Sequence, residues 1–150
     1  MTASNHAATG ALIGLTIGEP LIAIPVALAS HFICDAIPHF GMKENSVGSK
    51  RFRNILIGDA SLCIILVIVL AIFQPSNWLL AAICAFVATS PDLMWLDKFR
   101  RAQVGLPVQK NHSLILRFHA GIQWFEKPVG LIVEAVWAVV AVILLKLFII

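Results

Sequence analysis

The residues of this chain best suited to chemistry fall in the segment from 30 to 39, Ser-His-Phe-Ile-Cys-Asp-Ala-Ile-Pro-His. His31, Asp35 and His39 follow one another at intervals of four residues, at the end of an otherwise apolar stretch. Two imidazoles and a carboxylate are ligands that a divalent transition metal prefers. His31 and Asp35 stand one helical turn apart on one face, and His39, beyond Pro38, can turn back toward the same centre. The segment therefore predicts a metal site.

The composition places this site in a membrane protein. Of the 150 residues, 59% are hydrophobic and only 13% are charged, which is far more apolar than a soluble domain. Residues 54–73 and 129–150 are apolar runs long enough to cross the hydrocarbon core of a bilayer, which is about 30 Å thick. Ionisable side chains are costly there and usually mark functional sites. We expect no removable signal peptide, because no basic segment precedes the first apolar run.

We expect an all-α membrane helix bundle that forms a single domain over residues 1–150. Its five helices are predicted at about 3–17, 20–37, 54–73, 77–96 and 129–150. Gly18-Glu19-Pro20 is typical of a turn and predicts a short hairpin of the first two helices, with one long broken helix as the alternative.

Two further patterns predict helix surfaces. Residues 111–126 alternate apolar and polar side chains at helical spacing, which predicts an interfacial amphipathic helix. Its histidine face would carry His112, His119 and Glu126. On the first helix, small residues four apart let a second helix approach closely, either within the chain or in a homo-oligomer. These residues are Gly10, Gly14 and Gly18.

The basic residues predict the orientation in the membrane. Ten of the eleven Lys and Arg residues fall in two segments, 43–53 and 98–127, whereas the turns at 18–20 and 74–77 carry none. The positive-inside rule places both basic segments in the cytoplasm. We expect a multi-pass protein of the cell's inner (plasma) membrane. These segments explain the net charge of +3, and no nucleic-acid partner is expected. The arginines suited to drawing in an anionic head group are Arg51, Arg53, Arg100 and Arg101.

This topology brings dispersed acids and histidines to one depth. Asp59 and Glu134 each lie about five residues after the start of a predicted helix, and Asp92 about five before the end of one. At 1.5 Å per residue, each is about 7–8 Å from a cytoplasmic helix end. The candidate metal ligands are therefore His6, His31, Asp35, His39, Asp59 and Asp92, and the candidate catalytic residues are His119 and Asp92.

Electrostatics favours a cation at this depth. Several carboxylates so placed would repel one another unless a positive charge lay between them, and one or two divalent cations would supply it. Imidazole favours Zn, Mn or Fe, and the carboxylates leave Mg open. The structural alternative is a buried ion pair of Asp59 or Asp92 with an arginine, which returns little net energy. The arginines in reach are Arg51, Arg53 and Arg100.

The order of these motifs resembles that of the membrane-bound metal-dependent hydrolases of bacteria and archaea. Those proteins carry an early His before a Gly-rich first helix, a carboxylate motif with Pro and His ending the second, and a later His-Ser-Leu segment. The matching residues are His6 with Gly10 and Gly14, then Asp-Ala-Ile-Pro-His at 35–39, and Asn-His-Ser-Leu at 111–114.

The resemblance covers most of the chain and implies a metal site with hydrolytic chemistry. The chain also departs from the family pattern, because no second Asp directly precedes His39. A further carboxylate ligand would have to come from Asp59 or Asp92. Asn111 also stands where the family tends to have Thr or His.

The leading hypothesis is a metal-dependent hydrolase at the cytoplasmic membrane face, acting on a lipid or a lipid-linked phosphate or ester. His119 would serve as acid or base, or as a further ligand. A metal or proton transporter is one alternative, but the outer halves of the helices carry almost no polar residues to continue a relay. A structural or accessory subunit of a membrane complex is another, but it has little reason to gather five histidines at one depth.

Overall fold

The computed structural model describes residues 1–41, 47–107 and 113–149, and within these ranges it is all-helical, which confirms the predicted fold class. Three segments are long and apolar enough to cross a membrane: Lys50–Phe73, Trp78–Gln103 and Pro128–Ile149. The helices are α1 Ala3–Ile17, α2 Pro20–Ala36, α3 Lys50–Phe73, α4 Trp78–Thr89, α5 Leu96–Gln103, α6 Leu114–Ile122 and α7 Leu131–Ile149, with 3-10 turns at Ser90–Trp95 and Pro128–Gly130.

The first two helices form the expected hairpin. Gly18 ends α1 in the left-handed conformation, with φ 67°, and its N–H donates to the Gly14 carbonyl oxygen at 3.2 Å. Glycine adopts this φ without the Cβ clash that other residues would meet. Pro20 then opens α2, where its fixed φ suits the first helical position and its missing N–H is not needed.

The glycine face of α1 packs against α4 of the same chain. A Cβ built on Gly10 would lie 2.3 Å from the Cys84 carbonyl oxygen, and one on Gly14 would lie 2.5 Å from the Ala81 Cα. Only glycine permits backbones to approach this closely. Gly10 and Gly14 are therefore covered within the chain, and Gly18 lies beside Asn77. This stripe is not the free surface that pairing with a second copy would need.

Two predicted helix ends were wrong. α3 begins at Lys50 and not at 54, so Asp59 is nine residues past the first residue of its helix and not five. α4 ends at Thr89 and not at 96, because Pro91 cannot donate a backbone hydrogen bond, and a 3-10 turn follows. Beyond it, the first part of the basic segment 98–127, for which no helix was predicted, lies in α5.

The amphipathic helix is shorter than predicted. α6 ends at Ile122, and the next residues leave the helix to pair with the chain after α2. His39 N–H donates to the Phe125 carbonyl oxygen at 3.4 Å, and Lys127 N–H donates to the His39 carbonyl oxygen at 3.1 Å. Glu126 therefore does not share a helical face with His119, and His112 lies outside the described residues.

Replacing Ser49 by alanine should lower the free energy of unfolding by about 1 kcal/mol. The Ser49 side chain caps α3 by accepting a hydrogen bond from Phe52 N at 3.1 Å. Equilibrium unfolding in mixed detergent micelles would measure the change. Ser61→Ala is the control, since the Ser61 hydroxyl only adds a bond to the Ile57 carbonyl oxygen inside the same helix. Equal losses in both variants would show that the cap does not set the start of α3.

Candidate metal centre

His31 directs its Nε2, a nitrogen without a proton in the neutral ring, at Asp35 and His119. Its Nδ1 lies 2.8 Å from the Ala88 carbonyl oxygen on α4. A carbonyl oxygen only accepts hydrogen bonds, so Nδ1 carries the proton and Nε2 keeps its lone pair in the neutral ring. That Nε2 lies 3.3 Å from Asp35 Oδ2 and 3.0 Å from His119 Nε2. A backbone carbonyl that fixes the far nitrogen is the usual support of a metal-binding histidine.

His119 enters the same centre from α6 and is fully buried. Its Nδ1 faces the Met94 sulfur at 3.3 Å, and a thioether is an acceptor only, so this nitrogen carries the proton in the neutral ring. Its Nε2 lies 2.9 Å from Asp35 Oδ2. Two imidazole lone pairs thus point at each other and at one carboxylate oxygen. Such an arrangement repels unless a proton or a cation lies within it.

Asp35 is the hub of the cluster and has no solvent-exposed surface. Its Oδ2 faces both histidines and also accepts from Gln123 Nε2 at 3.0 Å. Its Oδ1 lies 3.0 Å from His6 Nε2 and contacts the amino group of Met1. Gln123 and the Met1 amino group therefore donate to this buried carboxylate, whereas His31 and His119 turn lone pairs toward it in their neutral rings.

Asp92 completes the set from the 3-10 turn after α4. Its Oδ1 lies 3.9 Å from His31 Nε2, and 27% of its side chain is exposed. One ligand atom from each of four residues lies within 4.8 Å of all the others. Two nitrogens and two carboxylate oxygens at this spacing could hold one divalent ion. The four residues are His31, Asp35, Asp92 and His119, and this group is called the metal cluster below.

The other two converging acids bind backbone instead. Asp59 accepts from Ala3 N at 2.7 Å and from Ser4 N at 3.0 Å, at the start of α1. Glu134 accepts from Thr2 N at 3.0 Å and from Phe40 N at 2.9 Å. Amides in the first turn of a helix lack helical partners and favour negative charge. Asp59 and Glu134 therefore anchor the chain entry into α1 and are not part of the metal cluster.

The two remaining described histidines lie beside the metal cluster. The His6 ring stacks on His31 with centroids 4.1 Å apart, and its buried Nδ1 has no hydrogen-bond partner in the described part of the chain. His39 donates from Nδ1 to the Ile37 carbonyl oxygen at 2.8 Å, and its Nε2 takes no part in this hydrogen bond. Gly130 fixes this loop, because a Cβ there would lie 2.0 Å from the His39 carbonyl oxygen.

A cavity of about 490 Å³ adjoins the metal cluster and shares Asp92 with it. Gln123, which bonds Asp35, also lines this cavity. The wall includes His39 and an apolar group contributed by α3, α5 and the adjoining turns. That apolar group comprises Val47, Phe52, Ile55, Leu56, Trp95 and Phe99.

The four arginines predicted to draw in a head group do not line the cavity. In sequence, Arg51 and Arg53 flank Phe52, and Arg100 and Arg101 follow Phe99, two aromatic residues that line the cavity. Lys98 is the lysine of the described lining. No ion pair of Asp59 or Asp92 with an arginine forms among the described residues. The arginines are Arg51, Arg53, Arg100 and Arg101.

Sequence reasoning missed two side chains that contact residues of the metal cluster, Gln123 and Met94. Gln123 lies four residues after His119, the spacing of one helical turn, and this interval was a usable signal. Met94 carried no signal, because a methionine in an apolar segment is indistinguishable from a packing residue.

Comparison of the chain with protein-family models, with curated proteins and with solved structures finds no match. The group of two histidines and two aspartates, of which Asp92 is partly exposed and also lines the cavity, could hold a divalent cation.

Proposed function

We propose that this chain is a membrane-embedded, metal-dependent hydrolase that acts on a lipid or a lipid-linked phosphate or ester. The observation that carries the proposal is the position of the metal cluster at one wall of the cavity, with Asp92 common to both. A site that is only structural would not need a partly exposed ligand facing a cavity. A catalytic metal site needs an open position for water or substrate.

The metal would be held by His31, Asp35, Asp92 and His119. Imidazole nitrogens favour Zn, Mn or Fe over Ca, and the two carboxylates leave Mg open. A bound divalent cation supplies Lewis acidity and lowers the pKa of a coordinated water. Gln123 donates to Asp35 and holds that carboxylate in place.

Proton transfer at the cavity is assigned to two residues that line it. Asp92 can accept a proton from water, because its carboxylate is partly exposed between the metal cluster and the cavity. His39 has Nδ1 committed to a backbone carbonyl, which leaves Nε2 to exchange a proton with a ligand. His119 is assigned as a ligand and not as the acid or base, since it belongs to the metal cluster and is not part of the described cavity lining.

The proposal places the cavity at the cytoplasmic face of the plasma membrane. Three helices have the length and apolar character to cross a bilayer. The outward side chains of α3 are large and apolar, among them Ile57, Leu62 and Ile64. The basic residues Arg51, Arg53 and Arg100 flank residues that line the cavity, so the positive-inside rule assigns that end to the cytoplasm.

The test is elemental analysis of the detergent-purified protein together with a hydrolysis screen. We expect about one Zn, Mn or Fe per chain in the wild type and a loss of more than about 90% in His119→Ala, because a first-coordination-sphere ligand is removed. Asp59→Asn should keep its metal, since Asp59 binds backbone amides. Phospholipid and lipid-phosphate hydrolysis should follow metal content, while Glu19→Gln, at an exposed site outside the described cavity lining, should match the wild type.

Three results would overturn the proposal. Metal-loaded protein that hydrolyses no phospholipid or lipid phosphate faster than the His119→Ala variant would exclude the hydrolase. Protein without metal above background, even after reloading, would favour a structural or accessory subunit of a membrane complex. Metal-driven uptake into proteoliposomes would instead favour a transporter.

A further inference from the structure

We propose that the cavity recognises a zwitterionic phosphoamine head group, such as phosphoethanolamine or phosphocholine carried on a lipid. This inference rests on the proposed function for the metal and names the substrate class of the same site. It replaces the anionic head group that the exposed arginines suggested. The grounds are the charge, the aromatic content and the size of the described cavity lining.

The described lining carries more acid than base. Its carboxylates belong to Asp59, Asp92 and Glu126. Its basic groups are Lys98 and the amino group of Met1, which is paired with Asp35. A cation bound by the metal cluster would be coordinated by the Asp92 carboxylate. Glu126 has no hydrogen-bond donor or cation paired with its carboxylate among the described residues, and Asp59 is committed to two backbone amides. Glu126 is therefore the group left to pair with a positively charged ligand.

Glu126 is held at the cavity by backbone contacts. Its segment pairs with the chain after α2 through a bridge between His39 and Glu126. Gly41 lies so close that a Cβ there would be 2.0 Å from the Glu126 Cγ. The carboxylate is thus positioned beside the cavity wall, so its charge acts on a bound ligand.

The described cavity lining is also rich in aromatic residues. Phe40, Phe52, Trp95 and Phe99 all line the cavity, and the rings of Phe52 and Phe99 meet edge to face at 5.3 Å. The Trp95 ring already accepts a cation, with Lys98 Nζ 5.5 Å from its centroid. Aromatic faces with nearby carboxylates are the recognised surroundings of ammonium and quaternary ammonium groups.

The negatively charged phosphate of the head group would also be bound by groups at the cavity. Lys98 and Asp92 both line the cavity, and the Lys98 ammonium lies over the Trp95 ring. Lys98 and a cation held by the metal cluster through Asp92 would both attract a phosphate. The volume of about 490 Å³ falls within the range of about 300–1,000 Å³ that small-molecule sites span. The apolar residues Val47, Ile55 and Leu56 can then contact the first carbons of the lipid chains.

The test measures binding of two short-chain lipids to detergent-solubilised full-length protein by isothermal titration calorimetry. Dihexanoylphosphatidylethanolamine should bind at least about tenfold more tightly than dihexanoylphosphatidylglycerol, because a charge-assisted hydrogen bond is made only by the first. Glu126→Gln should remove most of that preference. Phe99→Leu should weaken ethanolamine-lipid binding about threefold, and Glu19→Gln should change neither affinity.

Two further titrations test head-group binding separately from hydrolysis. Titrations of chelator-treated protein involve no turnover, so a preference for the ethanolamine lipid can persist when hydrolysis fails. Free phosphoethanolamine is the competitor that distinguishes a soluble from a lipid-borne ligand, and the lipid should bind more tightly. Equal or tighter binding of the glycerol lipid, or an unchanged preference in both Glu126→Gln and Phe99→Leu, would overturn the assignment.

Discussion

Replacing Gly14 by alanine is expected to destabilise the bundle by about 2–3 kcal/mol. The new Cβ would lie 2.5 Å from the Ala81 Cα, 2.8 Å from the Ala81 N and 2.9 Å from the Leu80 carbonyl oxygen. All three are backbone atoms, so no side-chain rotation relieves the clash and α1 must move away from α4. Equilibrium unfolding in mixed micelles would measure the loss.

The same substitution on α3 provides a matched control. Outside the local backbone of α3, no heavy atom lies within 4 Å of a Cβ added at Gly58, so the new methyl group of Gly58→Ala enters open space. Alanine favours a helix over glycine by about 1 kcal/mol, and this variant should be equally stable or more stable than the wild type. Equal destabilisation of the two variants would show that α1 and α4 do not pack through Gly14.

The effect should extend to the metal cluster, because α4 supplies the Ala88 carbonyl that orients His31. Displacing α1 also moves His6, which contacts Asp35 Oδ1 at 3.0 Å. We therefore expect Gly14→Ala to lose metal at a lower temperature than the wild type, whereas Gly58→Ala should retain it.

Local rules were sufficient for the features that depend on short spacings. His31 and Asp35 are four residues apart, and helix geometry alone places them on one face. Gly18 and Pro20 are turn residues by their own backbone preferences, so the hairpin could be predicted. The glycine stripe predicted a close helix contact but not its partner, since α4 of this chain and a second copy satisfy the same pattern.

The roles of the acids could not be predicted, because they depend on where the start of α1 lies. Asp35, Asp59 and Glu134 are all acidic residues that lie within apolar segments of the sequence. Two of them meet backbone amides at the start of α1, and the third meets histidines. Such a division is set by tertiary packing, which residue spacing along separate helices does not encode.

Helix ends were also set by long-range contacts. The periodicity of residues 111–126 favoured one continuous helix, and the chain instead pairs with His39 beyond Ile122. Beyond Ile122, the Gln123 hydrogen bond to Asp35 and the backbone pairing take the place of the hydrogen bonds that a further helical turn would form. Both partners lie more than eighty residues away, outside any local pattern.

Replacing Asp35 by asparagine is expected to weaken metal binding more than about 100-fold. The substitution preserves the size of the side chain but removes the charge that faces His6, His31 and His119. It also leaves these buried rings without their shared anion, so the metal-free protein should be destabilised as well, by about 3 kcal/mol. Asp97→Asn, an identical change at an exposed position of α5, should alter neither quantity.

Chelation separates a metal site from a histidine–aspartate network that only stabilises the fold. A ligand that binds only the folded state raises its stability, so removing the metal should lower the thermal midpoint of the wild type and of Asp97→Asn. Asp35→Asn should show no such shift, because it has no metal to lose. A chelator-insensitive wild type together with a destabilised Asp35→Asn would assign the cluster to folding alone. A stoichiometric metal content in Asp35→Asn would remove Asp35 from the ligand set.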